Sequence, residues 1–177
     1  MNTFQERSNA LTGSACLKKA IHTLHQDKQS THDGYVAPVR TYYQVGDQQS
    51  VQAGDYGTAI AGDSGNAVAG DSGTAMVGDR GTAHAGAFGI ATAGVLGTAT
   101  AGDYGTASVG DQGTASAGIG GTVCAGEQGE IRLKYRDSQA QRYRTVTGYI
   151  GENALEPNTP YTLNAQHAFV QVRGGAQ

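Results

Sequence analysis

Carboxylates recur along the middle of this chain at a fixed interval: Asp47, Asp55, Asp63, Asp71, Asp79, Asp103, Asp111 and Glu127 follow one another at eight residues or a multiple of eight. Ala87, Val95 and Ile119 fill the remaining places in the series. A regular row of carboxylates can hold a hard cation, close turns through a side-chain oxygen, or present negative charge to a basic partner. Calcium-binding solenoid repeats are nine residues long with a GGxGxD pattern. These units are eight residues long with at most one carboxylate each at this place, so no metal and no other cofactor is expected. The other two roles stay open at this point, because Asp before x-Gly is a favoured turn residue, yet Asn, which would close the turn without charge, is never used there.

Other reactive side chains are scattered. His22 and His25 lie three apart with Cys16 nearby, but no second ligand pair follows, as a zinc site requires. Cys124, His84 and His167 have no partners at a spacing that suggests nucleophilic catalysis, and the expectation is a protein that is not an enzyme. Threonines offer a further chemistry, since a flat array of Thr-x-Thr pairs can bind ice. Only Thr98 with Thr100 completes such a pair; elsewhere the places hold Thr58/Ile60, Asn66/Val68, Thr74/Met76, Thr82/His84 and Ile90/Thr92. Outward Thr is also simply a good strand residue, so ice binding ranks as a second alternative.

The carboxylates are one column of an internal repeat. Eleven octads start at residues 45, 53, 61, 69, 77, 85, 93, 101, 109, 117 and 125; the second place is Gly in all of them, and the fifth is Gly in all but one, where Gln49 stands. The first place is always Ala or Val, and the seventh is Ala, Val or Ile. A helix would carry two Gly per octad at about 1 kcal/mol each, and collagen geometry needs Gly at every third residue, so both are excluded. Apolar residues two apart around each octad boundary, such as Ala59 and Ala61, predict a short strand with one face inward, and GDxG predicts a corner. At the corner, Gly is expected to supply the conformations other residues resist.

One strand and one corner cannot bury a face alone, so the octads are expected to stack as a parallel β-solenoid. Three octads per coil would leave an axial void behind Ala side chains, whereas two bring opposite Ala rows into contact. The prediction is therefore a mainly β fold with about 16 residues per coil, placing Val45, Val77 and Val109 on one face. Three segments follow: an N-terminal cap over 1–44, the solenoid over 45–132, and a C-terminal β-hairpin cap over 133–177. Ala15, Leu17, Ala20, Ile21 and Leu24 sit at helical spacing within 12–29, and GYVAPVRTYYQV reads as a strand entering the first coil. EIRLKYRD and RYRTVTGYI read as one hairpin, PYTLN and HAFVQV as another.

Within the 177 residues and a net charge of −3, charge is divided unevenly. Residues 45–129 hold seven Asp, one Glu and Arg80, a net of −7, while 1–44 and 130–177 each come to +2. Two distant cysteines form no disulfide framework, and no apolar run is long enough for a membrane span or a signal segment. A soluble protein of the cytoplasm is expected. A second irregularity lies at AGAFGIATAGVLGTAT, where Phe88, Ile90 and Leu96 replace polar residues; with Tyr56 and Tyr104 they form an outward apolar stripe. Such a stripe pairs two rods into a homodimer or docks the C-terminal segment onto the rod.

The octads AGDYGTAI and AGDSGTAM resemble the repeats of bacterial ice-nucleation proteins. They resemble more closely short phage and prophage solenoid proteins, in which GDxGTA repeats run into a tail like RYRTVTGYIGENALEPNTPYTLN; the resemblance spans roughly residues 45–165. It implies a mobile-element origin and makes inhibition of host defence a class to consider. A rigid rod with carboxylate rows also resembles pentapeptide-repeat solenoids in offering a DNA-like potential. The functional expectation is a non-enzymatic, anti-CRISPR-like inhibitor acting in the host cytoplasm. Asp47, Asp55, Asp63, Asp71, Asp79, Asp103, Asp111 and Glu127 would meet a host nucleic-acid-binding protein complex, with no direct contact to nucleic acid or membrane. The alternative is a structural module of a phage particle, in which the rod is a spacer.

Overall fold

The computed structural model describes residues 31–32, 35–36 and 41–172. The helix expected within 12–29 lies outside the described residues. Thr31–His32 (β1) and Tyr35–Val36 (β2) pair antiparallel. From Tyr42 onward the chain winds as a parallel β-solenoid with sixteen residues per coil, and no helix occurs among the described residues.

Each coil is one strand of each of two sheets. Sheet one contains β4 (Ser50–Gln52), β6 (Asn66–Val68), β8 (Thr82–Ala85), β10 (Thr98–Ala101), β12 (Thr114–Ala117), β14 (Glu130–Asp137) and β15 (Arg142–Tyr149), adjacent in that order. Sheet two contains β3 (Tyr42–Gln44), β5 (Thr58–Ala61), β7 (Thr74–Val77), β9 (Ile90–Ala93), β11 (Thr106–Val109), β13 (Thr122–Cys124), β16 (Tyr161–Leu163) and β17 (Phe169–Gln171). The strands of the coils pair in register at sixteen residues, as Thr82 with Thr98 and Thr74 with Ile90. Two rows of corners result. Edge one leads from sheet two to sheet one (46–49, 62–65 and so on), and edge two leads back (54–57, 70–73 and so on).

The core between the sheets is a double layer of alanine. Ala59, Ala67, Ala75, Ala83, Ala91, Ala99, Ala107 and Ala115 are completely buried. Methyl groups cannot span the ~10 Å of ordinary stacked sheets, so the sheets close on each other and leave no axial void. Val45, Val77 and Val109 all line sheet two, opposite Ala53, Ala69, Ala85, Ala101 and Ala117. The largest buried side chains stand toward the ends of the stack: Tyr43 in the first coil, and Ile131 and Leu133 in the last coils.

The corners correct one expectation. The left-handed conformation falls on the fourth residue of each octad, not on its glycines: Gln48, Tyr56, Ser64, Ser72, Arg80, Phe88, Leu96, Tyr104, Gln112 and Gln128 have φ between 54 and 58°. Gly120, with φ 67°, is the one glycine at that place. Each such residue costs about 1 kcal/mol, and the corner offsets it with hydrogen bonds. Phe88 N–H donates to the Asp103 carbonyl one coil on (2.9 Å), and Gly89 N–H closes the turn onto the Gly86 carbonyl (3.2 Å). The glycines serve close approach instead. A Cβ on Gly89 would stand 2.8 Å from Ala85 Cβ and 2.9 Å from the Gly73 carbonyl oxygen of the coil below.

Two hairpins close the C-terminal end, as the alternation predicted. β14 extends sheet one, runs past the last corner of edge two, and returns as β15, pairing from Glu130 with Tyr149 to Asp137 with Arg142. β16 and β17 extend sheet two, with Tyr161 opposite Val123. Ile150 N–H and Asn158 N–H take the last coil's carbonyls at Gly129 (2.9 Å) and Ala125 (2.8 Å). Ile150, Leu155 and Tyr161 are buried there, and Phe169 and Leu163 lean on them.

The two glycine roles separate by mutation. Gly89→Ala is expected to lower stability by about 2 kcal/mol through overpacking, whereas Ser72→Gly, at a positive φ, should be neutral or slightly stabilising. Urea denaturation followed by circular dichroism reads both.

Candidate functional site

Sixteen residues per coil sort the carboxylates into two rows. Edge one carries Asp47, Asp63, Asp79, Asp111 and Glu127, interrupted at Val95; edge two carries Asp55, Asp71 and Asp103, interrupted at Ala87 and Ile119. Arg80 is the one cation of these rows among the described residues. The aspartates are all solvent-exposed at their corners.

Their geometry reveals a role that composition did not. One carboxylate oxygen of every repeat aspartate accepts the backbone N–H of the residue sixteen further on. Asp47 Oδ1 accepts from Asp63 N–H at 3.0 Å, Asp55 from Asp71 at 2.9 Å, Asp63 from Asp79 at 2.9 Å and Asp71 from Ala87 at 2.8 Å. Asp79, Asp103 and Asp111 do the same for Val95, Ile119 and Glu127 at 2.8–2.9 Å. The carboxylate thus binds the next coil rather than its own turn. It adds to the reason for glycine at the second place: a Cβ on Gly62 or Gly126 would collide with Oδ1 of Asp47 or Asp111, and the backbone below excludes one even without the aspartate, as at Gly102 over Ala87.

Two magnitudes decide whether charge is tolerated there. Like charges stacked at about 4.8 Å repel by roughly 0.9 kcal/mol in water, less in salt. A hydrogen bond to a charged acceptor contributes about 1.5–3 kcal/mol, so the bond wins. Asn could accept the same bond without the repulsion, so the bond requires a side-chain oxygen but does not require charge. The second oxygen of each aspartate is left for solvent or a partner.

The apolar stripe is divided by the same geometry. Phe88 and Tyr104 are stacked on edge two, centroids 5.2 Å apart and planes 10° from parallel. Tyr104 lies over Gly120, where a Cβ would stand 2.7 Å from its ring. Tyr56 belongs to the same column with Ser72 between it and Phe88, and it lines a shallow cleft with Thr41, Tyr42, Thr58 and Ser72. Ile90 projects outward from sheet two. Leu96 lies apart from them on edge one, beside Arg80, Val95, Asp63 and Asp79.

Above edge two projects the β14–β15 overhang, which sequence reading treated only as a cap. Its outward face pairs Arg132 with Thr147, Lys134 with Thr145 and Arg136 with Tyr143. Arg136 lies over the Tyr143 ring at 5.4 Å. Arg132 is held by Glu130 (2.8 Å) and Arg144 by Asp137 (2.6 Å). Lys134, Tyr143 and Thr145 with Asp103 and Ile119 enclose a cleft of about 390 Å3. Alternation of Arg and Lys with apolar residues in 131–136 was the available signal for this basic face.

The remaining chemical candidates are dispersed. His84 faces outward between Val68 and Thr100, and His167 stacks on Tyr135 at 3.8 Å. Burial pushes the Cys124 thiol pKa up, against a smaller lowering by its hydrogen bond with Ser108. No three of His, Cys, Asp and Glu converge on a metal position among the described residues. The Thr98/Thr100 pair sits in register with Thr82/His84 and Thr114/Ser116 on sheet one. Cys16, His22 and His25 lie outside the described residues.

The class the fold defines is therefore a two-sheet parallel β-solenoid whose corners are bonded by aspartate. No family model, no curated protein and no solved structure matches the chain.

The bond predicts an asymmetry between two substitutions at one site. Asp71→Ala should lose about 1 kcal/mol or more by leaving Ala87 N–H without its acceptor, while Asp71→Asn should change stability by a few tenths only; chemical denaturation measures both. Asp137 gives a pH-dependent outcome. Its carboxyl is held below the usual range first by the Ala140 N–H; desolvation opposes this, and Arg144 and the Gln139 N–H add further lowering. Its contribution to the hairpin turn is therefore complete above the ordinary carboxylate pKa of about 3.9 and lost as pH falls through its lowered value. The protection factor of the Ala140 amide, its exchange rate taken relative to the unstructured rate at the same pH, should fall only in that acid range.

Proposed function

We propose that the protein is a non-enzymatic binding rod whose edge-one carboxylates occupy a basic, nucleic-acid-binding site on a host defence complex, as an anti-CRISPR-like inhibitor of phage origin would. The observation that carries this reading is the alignment of Asp47, Asp63, Asp79, Asp111 and Glu127 in one row, with Oδ1 of each aspartate bonded inward to the next coil. That bond fixes each charge on the backbone framework, so the row meets a partner already ordered. Residues 45–129 carry a net −7 over about five coil steps. That total is shared by two opposite edges: edge one alone holds five carboxylates and Arg80, a net −4 (−5 + 1) over five steps, which at about 4.8 Å per step is one charge per ~6 Å, sparser than the ~3.4 Å spacing along one nucleic-acid strand.

The spacer reading also has an observation in its favour: the aspartates have work to do inside the fold, through the bond of Asp71 to Ala87 and its equivalents. Exchanging Asp63, Asp79 and Asp111 together for Asn keeps every acceptor and removes three charges. Under the inhibitor reading, wild-type protein captures a complex from host lysate that duplex DNA or RNA competes off. Capture should fall at least tenfold both in about 0.5 M salt and with the triple Asn variant, circular dichroism staying unchanged. Capture indifferent to the Asn exchange, or no competition by nucleic acid, would assign the rod to the spacer role.

A further inference from the structure

The two broad faces of the solenoid differ in a way that neither the repeat nor the edge rows explain. On sheet one the charged strand residues, Glu130, Arg132, Lys134, Arg136, Asp137, Arg142 and Arg144, all belong to the terminal hairpin β14–β15; its coil strands β4 to β12 carry His84 as their one titratable residue and Val68 as their one large apolar outward residue. Sheet two, across all eight strands from β3 to β17, contains no Asp, Glu, Lys, Arg or His. Its outward positions include Tyr42, Met76 and Ile90, which are 57, 41 and 48 % exposed, and Ile60. Since the coil strands of both sheets lack Asp, Glu, Lys and Arg, it is the gathering of large apolar side chains on sheet two that marks it as a surface for a dry neighbour.

The pattern on that face is self-complementary. Its outward side chains form two columns: Tyr42, Thr58, Thr74, Ile90, Thr106 and Thr122, and beside it Gln44, Ile60, Met76, Thr92, Ser108 and Cys124. Each of the three middle coils offers one large apolar residue and one Thr, and the large one changes column between Met76 and Ile90. A two-fold axis along the rod lays each column on the other column of a second copy. Ile60 then meets Thr58, Met76 meets Thr74, and Ile90 meets Thr92 of the other copy, large against small at every level, as interdigitating layers require.

The area is sufficient. Eight strands at about 4.8 Å and four residues at about 3.3 Å make a face of roughly 38 by 13 Å, so a pair buries about 1,000 Å2, the threshold for a specific interface. We propose that the protein forms a parallel, two-fold dimer through the outer face of sheet two, its occupant being a second copy of the same chain. Both edge-one carboxylate rows stay free, so the dimer stands independently of what the edges bind.

Sedimentation of the full chain at about 50 µM should give a species of 36.2 kDa (2 × 18.1). Met76→Lys, an outward change, should weaken association at least 100-fold with an unchanged circular dichroism spectrum, and Val68→Lys on sheet one should leave the dimer intact. Should Met76→Lys unfold, Ile90→Lys carries the same expectation. Register is read by Thr122→Cys combined with Cys16→Ser: the introduced thiol of one copy then faces native Cys124 of the other and should form an interchain disulfide on mild oxidation. A monomeric parent, a dimer that survives lysine at both positions, or a dimer that never cross-links would each overturn the proposal.

Discussion

The contact on which the rest depends is the hydrogen bond from a corner N–H to the aspartate oxygen of the coil below. It joins corners that approach so closely that, from Gly62 onward, the second residue of each octad has no room for a Cβ, above the aspartates as at Gly62 and Gly126 and equally above Ala87 and Val95 at Gly102 and Gly110. The corner carbonyls and the N–H of the fourth residue add a second bond, as from Tyr104 to Ile119 at 2.8 Å. Hydrogen bonding between coils therefore runs around the corners rather than stopping at the strand ends. A slip by one residue would break every aspartate bond as well as turning the inner face outward, so register is fixed twice.

Such a framework stands in for a core that is thin by design. Alanine contributes one methyl per inward position, and side-chain burial along the middle coils is correspondingly small. What it contributes instead is near-uniformity: no rotamer to order, and the same volume at most levels, with Val77 and Val109 as the exceptions in the middle coils. The largest side chains are placed toward the two ends of the described stack, Tyr43 in the first coil and Leu133, Tyr161 and Leu155 over the last, covering surfaces that no further coil covers among the described residues.

Much of this was legible in the residues. The glycine spacing excluded helix, and the small volume of alanine alone decided between two and three octads per coil. Alternation in 130–137 and 142–149 announced the terminal hairpin. The corner conformation was not legible, because residues as different as Arg80 and Phe88 adopt the same positive φ; the neighbouring coil imposes it, whatever the side chain. Nor was the destination of the aspartate oxygen, which bonds sixteen residues away, beyond any local turn rule. Leu96 and Phe88 looked like one stripe in sequence and occupy opposite edges in space, since eight residues carry the chain half-way round. The gathering of Ile60, Met76 and Ile90 on sheet two emerged only when alternate octads were separated into their two faces.

That half-way step also governs how such a rod can change length. Gain or loss of a single octad would exchange the two sheets for every residue beyond it, moving Ile90 to the face of His84 and transferring the remaining carboxylates from one edge to the other. Gain or loss of two octads would leave every column intact and only lengthen or shorten it by one coil. The heritable unit of this architecture is therefore sixteen residues although its visible repeat is eight, and unequal exchange between near-identical octads is tolerated in pairs.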